Sequence, residues 1–97
     1  MIEITCINKA GGDHVNRHES ISHLGWTNHG TGKKDISSLA VMVQWIEGGG
    51  EAYVQDSSGN IAWLHVRSSQ NGHRFVQTGS DGKWSNNLLS LSECRWP

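Results

Sequence analysis

Histidine and cysteine are the residue types in this chain with the greatest capacity for chemistry. Six His and two Cys occur among its 97 residues. His14, His18, His23 and His29 crowd the N-terminal third, and the thiols stand far apart at Cys6 and Cys94. A zinc site wants three or four such ligands converging tetrahedrally, with tight paired spacing along the chain. His14 and His18 are four apart and would share a helix face, but Gly11-Gly12 and polar neighbours make that segment a loop. Neither CxxC nor HExxH occurs. The pattern therefore reads as surface histidines, with no metal and no cofactor expected. Protonating them between about pH 7 and 5 would carry the formal net charge of -1 to clearly positive.

Nucleophilic chemistry has equally little support. Cys6 lies in Thr5-Cys6-Ile7, a strand pattern, and Cys94 in Glu93-Cys94-Arg95, where the guanidinium could lower the thiol pKa. Neither has a strained turn or a Gly-rich oxyanion frame beside it, and Cys6 reads as a buried structural residue. No Gly-x-Ser-x-Gly elbow occurs. Gly30-Thr31-Gly32-Lys33-Lys34 has the Gly and Lys of a phosphate loop without its GxxxxGK[ST] spacing. A His–carboxylate pair assembled in space, as in a metal-free ribonuclease, is the one catalytic arrangement that spacing does not test. The expectation is a protein that is not an enzyme.

Binding is the other use for such residues. Trp26, Trp63 and Trp84 could act as stacking platforms, with Lys33, Lys34, Arg67, Arg74 and Lys83 along one edge. Nine acidic residues match eight basic ones, so no electrostatic footprint for nucleic acid or membrane appears. Core packing accounts for Trp45 and Trp63. Trp84 differs: it follows an Asp-Gly turn and precedes two Asn, so Asp81, Trp84, Asn86 and Asn87 are the candidate binding residues.

The elements that must position these side chains follow from periodicity. Ile2 to Ile7 alternates, with Ile2, Ile4 and Cys6 on one face, and Ile21 to Trp26 makes a second strand. Asn8 to Arg17 is a polar loop, and Thr27 to Lys34 reads as an exposed, mobile connection. Ile36, Leu39, Val43 and Ile46 recur at helical spacing, with Asp35 as N-cap and Gly48-Gly49-Gly50 as terminator. Glu51–Asp56 and Asn60–Arg67 flank Ser57-Ser58-Gly59 as a hairpin, and Arg74–Thr78 follows the turn at Asn71-Gly72. Apolar groups on both faces place the 60–67 strand centrally. Leu88, Leu89, Leu91 and Trp96 are too apolar to leave in water, so the tail should lie back over the sheet.

The order is ββαβββ: an α+β fold, an antiparallel sheet of about five strands with one helix on a face and an irregular C-terminal tail. Ninety-seven residues, 35% apolar and with 12 Gly, fit a single domain over 1–97 with one modest core. Five Trp make up part of the lean aliphatic count, each able to bury about 150–250 Å². No stretch approaches the ~20 apolar residues of a membrane span, and no signal-peptide core is present. A cytoplasmic protein is expected, and a reducing cytosol argues against a disulfide although the even Cys count permits one.

Several stretches resemble one family. They are Ile4-Thr5-Cys6-Ile7, Ile21-Ser22-His23-Leu24-Gly25, Trp45-Ile46-Glu47-Gly48-Gly49, and the tail with Phe75, Thr78, Asp81-Gly82, Asn87-Leu88-Leu89-Ser90-Leu91 and Cys94. Together they are similar to DUF3892, a small bacterial and phage domain of unknown function. Ser92 stands where that pattern usually has Pro. The resemblance implies a compact α+β domain with no assigned catalytic residues, and two Cys that tie the first strand to the tail if the fold brings them together. The functional expectation is a non-enzymatic binding or regulatory module acting on a protein through its sheet edge and the Trp84 to Asn87 loop, for example a phage inhibitor of a host defence. Nucleic-acid binding with weak metal-free nuclease activity is the alternative. An exposed edge strand would also allow a homodimer by strand addition.

Overall fold

The computed structural model describes residues 1–9, 21–69, 72–80, 83–84 and 88–94, with the side chains of 80, 83 and 84 excepted. The elements are β1 (Ile2–Lys9), β2 (Ile21–Thr27), β3 (Lys34–Ser38), α1 (Leu39–Glu47), β4 (Ala52–Gln55), β5 (Ile61–Ser68), β6 (Arg74–Ser80) and the two-residue β7 (Lys83–Trp84). A 3-10 turn, Leu88–Ser90, follows. All strands form one sheet in the order β3-β2-β1-β4-β5-β6-β7.

The α+β class is as expected, but the sheet is mixed and has, among the described residues, six strands of four residues or more, with β7 added at its margin. Ile2 pairs with Ala52 and Glu3 with Tyr53 in parallel. The cause is α1. A parallel pair needs a crossover, and the helix carries the chain over one face from the β3 edge to the far side of β1.

The strand that sequence periodicity hides is β3. Its residues pair antiparallel with β2, from His23↔Ser38 to Thr27↔Lys34. The turn between them is tied down: Asn28 N–H donates to Lys33 O at 2.8 Å, and Asn28 Oδ1 accepts from the Gly30 and Thr31 amides at 2.9 and 3.2 Å. The helix consequently starts later than expected. Ser38, with an extended ψ of 159°, is the N-cap, and its Oγ accepts from Val41 N–H at 3.3 Å. Asp35 lies inside β3, where its carboxylate accepts from the Ile36 amide at 2.8 Å. The C-terminal stop falls at the glycines. Gly49 takes φ +104°, a region L side chains avoid.

The core lies between α1 and the sheet. Ile4, Leu24, Met42, Leu64, Val76 and Leu88 belong to it, each 5% exposed or less. Each such side chain contributes roughly 1.5–3 kcal/mol of transfer free energy. In β1 the alternation breaks. Ile4 pairs with Trp26 but Ile7 pairs with Leu24, so three β1 residues span two of β2. This bulge keeps Ile4 and Ile7 together on the core side. Cys6 is turned to the opposite face beside Gly25, not in line with Ile2 and Ile4 as strict alternation implied.

Beyond Glu3, β1 has no β4 partner, and the tail takes that edge. Ile7 N–H donates to Ser92 O at 3.1 Å, with a parallel bridge between Ile7 and Glu93. Leu88 is fully buried, and Leu89 and Leu91 pack against the core. Leu88, Leu89 and Leu91 thus lie back on the domain as expected, though the tail partly extends the sheet instead of only covering it; Trp96 lies outside the described residues. Among the described residues, no helix is long and apolar enough to cross a membrane.

Candidate functional site

Helix α1 buries Met42 and Val43, and the helical repeat leaves Val41 and Trp45 together on another face, one turn apart. Val41 is 54% and Trp45 38% exposed, so Trp45 is not the core residue its apolar neighbours suggested. The Trp45 ring lies against the chain just after the helix. A Cβ on Gly50 would stand 2.3 Å from the ring atoms Cδ2 and Cε2, which explains why glycine fills that position.

Opposite this ring, Trp26 of β2 is fixed by its Nε1–H, which donates to Ser37 Oγ at 3.0 Å. Together with Ile2 and Met42 these residues enclose a cleft of about 290 Å³, with Asn28 and Ser37 as its polar groups. That volume sits at the lower end of small-ligand pockets, which run roughly 300–1,000 Å³. The described lining is mostly apolar and holds no thiol, carboxylate or imidazole, so what these residues offer is shape and apolar surface. A second depression, about 560 Å³, lies beside the other flank of α1 and includes Ser38, Gln44, Glu47, His73 and Arg74. There Arg74 and Glu47 satisfy each other as an ion pair.

The face of the sheet away from α1 carries a second aromatic group. Tyr53 and Trp63 pair directly across β4 and β5 and meet edge-on, 5.6 Å between centroids and 64° between planes. Arg67 stands 5.6 Å from the Phe75 ring centroid, and its Nη1 donates to Gln77 Oε1 at 2.5 Å. The backbone register continues from Trp63 through Gly79 to Trp84.

The candidate residues named from sequence are thus placed unequally. Trp84 is located by its backbone in β7, while Asp81, Asn86 and Asn87 lie outside the described residues, as do His14 and His18. Trp26 and Trp63 occupy opposite faces, so they form no common stacking surface. Lys33 and Lys34 sit at the β3 side of the sheet and Arg67, Arg74 and Lys83 at the β5–β7 side; they line no single edge. His29 Nε2 meets Glu3 Oε1 at 2.7 Å, and His23 Nδ1 meets Ser22 Oγ at 3.0 Å. Among the described residues no three His, Cys, Asp or Glu groups converge as for a metal. Asp56 has its carboxyl held below the usual range, first by a hydrogen bond from the Asn60 amide, but it is fully exposed and belongs to the β4–β5 turn.

Cys6 and Cys94 are joined as a disulfide, 88 residues apart in the chain. The pairing left open by composition is therefore made, between the first strand and the tail. What sequence reasoning missed is the Val41–Trp45 pair: both fall within an apolar helix, and their signal is only that they lie off the Leu39–Val43–Ile46 stripe.

Residues 3–92 match the family described as protein of unknown function (DUF3892), and the chain belongs to it. No curated protein matches the chain, and no solved structure does.

Proposed function

We propose that this DUF3892 protein is a non-enzymatic regulatory module and that a protein partner docks at the cleft between α1 and β2. The observation that carries the reading is the exposed Val41–Trp45 pair at the mouth of an apolar cleft. Exposed Trp beside a pocket is the composition of interaction hot spots, where one anchor side chain is buried and polar groups at the margin set direction. Asn28 and Ser37 are suitably placed for the second role. An apolar anchor of the partner, aliphatic or aromatic, is the chemistry that fits. The β3 edge is a poorer site for an added strand, because the Ile36 amide is already taken by Asp35. A role as an inhibitor of another protein suits a small module whose described cleft lacks catalytic groups.

The test is affinity capture with two baits, wild type and Val41→Ser/Trp45→Ala, each with and without nuclease. A protein retained by wild type after nuclease and lost from the double variant supports the reading. Identical capture by both baits refutes it, and so does a double variant that no longer unfolds cooperatively, since the pair would then be structural.

Nucleic-acid binding is the second reading, favoured by the half-buried Tyr53–Trp63 pair on the open face. It requires affinity that falls steeply as salt rises. A net charge of -1 weighs against it.

A further inference from the structure

We propose that the Cys6–Cys94 disulfide is a reversible latch: it fastens Ser92–Cys94 to β1, and a dithiol reductant frees that segment while the rest of the domain stays folded. Among the described residues the apolar anchors of the tail stop at Leu91. Past it, the described attachment is the bridge of Ile7 to Glu93, with Ile7 N–H donating to Ser92 O at 3.1 Å, then Cys94 N–H to Asn8 Oδ1 at 3.0 Å, and the S–S bond. Ser92 and Glu93 are exposed. Two hydrogen bonds, each worth little net in water, do not match the cost of ordering three residues, two of them exposed. The covalent bond decides whether the segment is seated.

The two sulfurs also differ in access and in freedom. Cys6 is 7% exposed within a strand flanked by β2, whereas Cys94 is partly exposed at the end of the described tail. Both sulfurs rest on Gly25, where a Cβ would lie 2.2 Å from Cys6 Sγ and 2.9 Å from Cys94 Sγ. When the bond is cut the sulfurs must part to van der Waals contact. With Cys6 fixed, Cys94 is the one that moves.

The exchange is balanced by a dithiol. One thiolate attacks the accessible Cys94 Sγ, forming a mixed disulfide and expelling the Cys6 thiolate, which takes a proton. The second thiol of the reductant then displaces Cys94 as a thiolate, which is protonated in turn. The reductant leaves as a cyclic disulfide, so two electrons and two protons reside on the protein. Disulfides of cytosolic proteins are typically of this transient kind, which would reconcile the bond with the cytoplasmic expectation.

Amide hydrogen exchange of the full chain, with and without dithiothreitol, tests the latch. The Ile7 amide is the reporter because its acceptor is Ser92. Exchange at Ile7 should speed up roughly tenfold or more on reduction while amides of β5 and β6 keep their protection, and glutathione disulfide should restore it. Cys94→Ser should reproduce the reduced behaviour without reductant. The proposal is overturned if Ile7 stays equally protected when reduced. It is equally overturned if β5 and β6 lose protection with it, or if Cys94→Ser fails to fold, because the bond would then be a staple of the whole domain.

Discussion

Replacing Gly25 by Ala isolates what the disulfide demands of its surroundings. Gly25 pairs with Cys6 across β1 and β2, and it is not among the glycines with positive φ, so its backbone conformation suits alanine. The obstacle is space: the new Cβ would meet Cys6 Sγ at 2.2 Å and Cys94 Sγ at 2.9 Å, while Cys6 Cβ at 3.8 Å is ordinary contact. Relief requires Cys6 Sγ to swing off Gly25, which gives up the S–S bond. The scale of the cost is therefore the stabilisation the bond supplies, about 4.6 kcal/mol from chain entropy for a separation of 88 residues. In a Cys6→Ala/Cys94→Ala background the sulfurs are gone. There Gly25→Ala should be neutral or stabilise by about 0.5–1 kcal/mol, because glycine in a strand is entropically costly. Urea unfolding of the four proteins under oxidising conditions gives the coupling, expected at about 3–5 kcal/mol. Thiol titration should find free sulfhydryls in the single Gly25→Ala variant. Equal destabilisation in both backgrounds would refute the reasoning, since Gly25 would then be required for something other than the sulfurs.

Two further outcomes follow from local geometry. Ser38→Ala should cost about 1 kcal/mol by removing the acceptor for the Val41 amide, whereas Asp35→Ala should leave helix content by circular dichroism unchanged; the reverse order would restore Asp35 as the cap. Asp56 accepts from the Ser58 and Asn60 amides at 2.9 Å, and its pKa is lowered chiefly by the Asn60 backbone bond. A depressed carboxyl stabilises the fold above its unfolded pKa and loses that contribution as pH falls through the folded value. The wild type should therefore lose more stability than Asp56→Asn in strongly acid solution and match its slope near neutrality; parallel profiles in acid would show the turn does not depend on the charge.

The elements readable from residues alone were those with a buried face and a clean period: β1, β2, the body of α1 and the β4–β5 hairpin with its Gly59 at φ +88°. β3 was hidden because Lys34-Asp35-Ile36-Ser37-Ser38 has no alternation of its own. Its pairing is supplied by β2, and Ile36 happens to fall three residues before Leu39, in phase with the helix. The β1 bulge was equally hidden, since an extra residue in a ladder is set by the partner strand. Of the candidate site, Trp26 was noticed as an exposed aromatic but not as one wall of a cleft. Val41 and Trp45 were absorbed into the apolar composition of α1, because helical spacing shows which residues share a face and not how far the sheet beneath extends.

The completion of β1 by Ser92 and Glu93 has a consequence for synthesis. A ribosome makes β1 first and must make another 80-odd residues before the segment that closes its open edge can reach it. Contacts of such long sequence separation slow folding, and an unpaired strand edge is the surface on which nascent chains mispair. Until then Ile4 to Lys9 can be protected on one side only, by β2. Seating of the tail and formation of its disulfide must therefore wait until the helix and the β4–β6 meander have been synthesised.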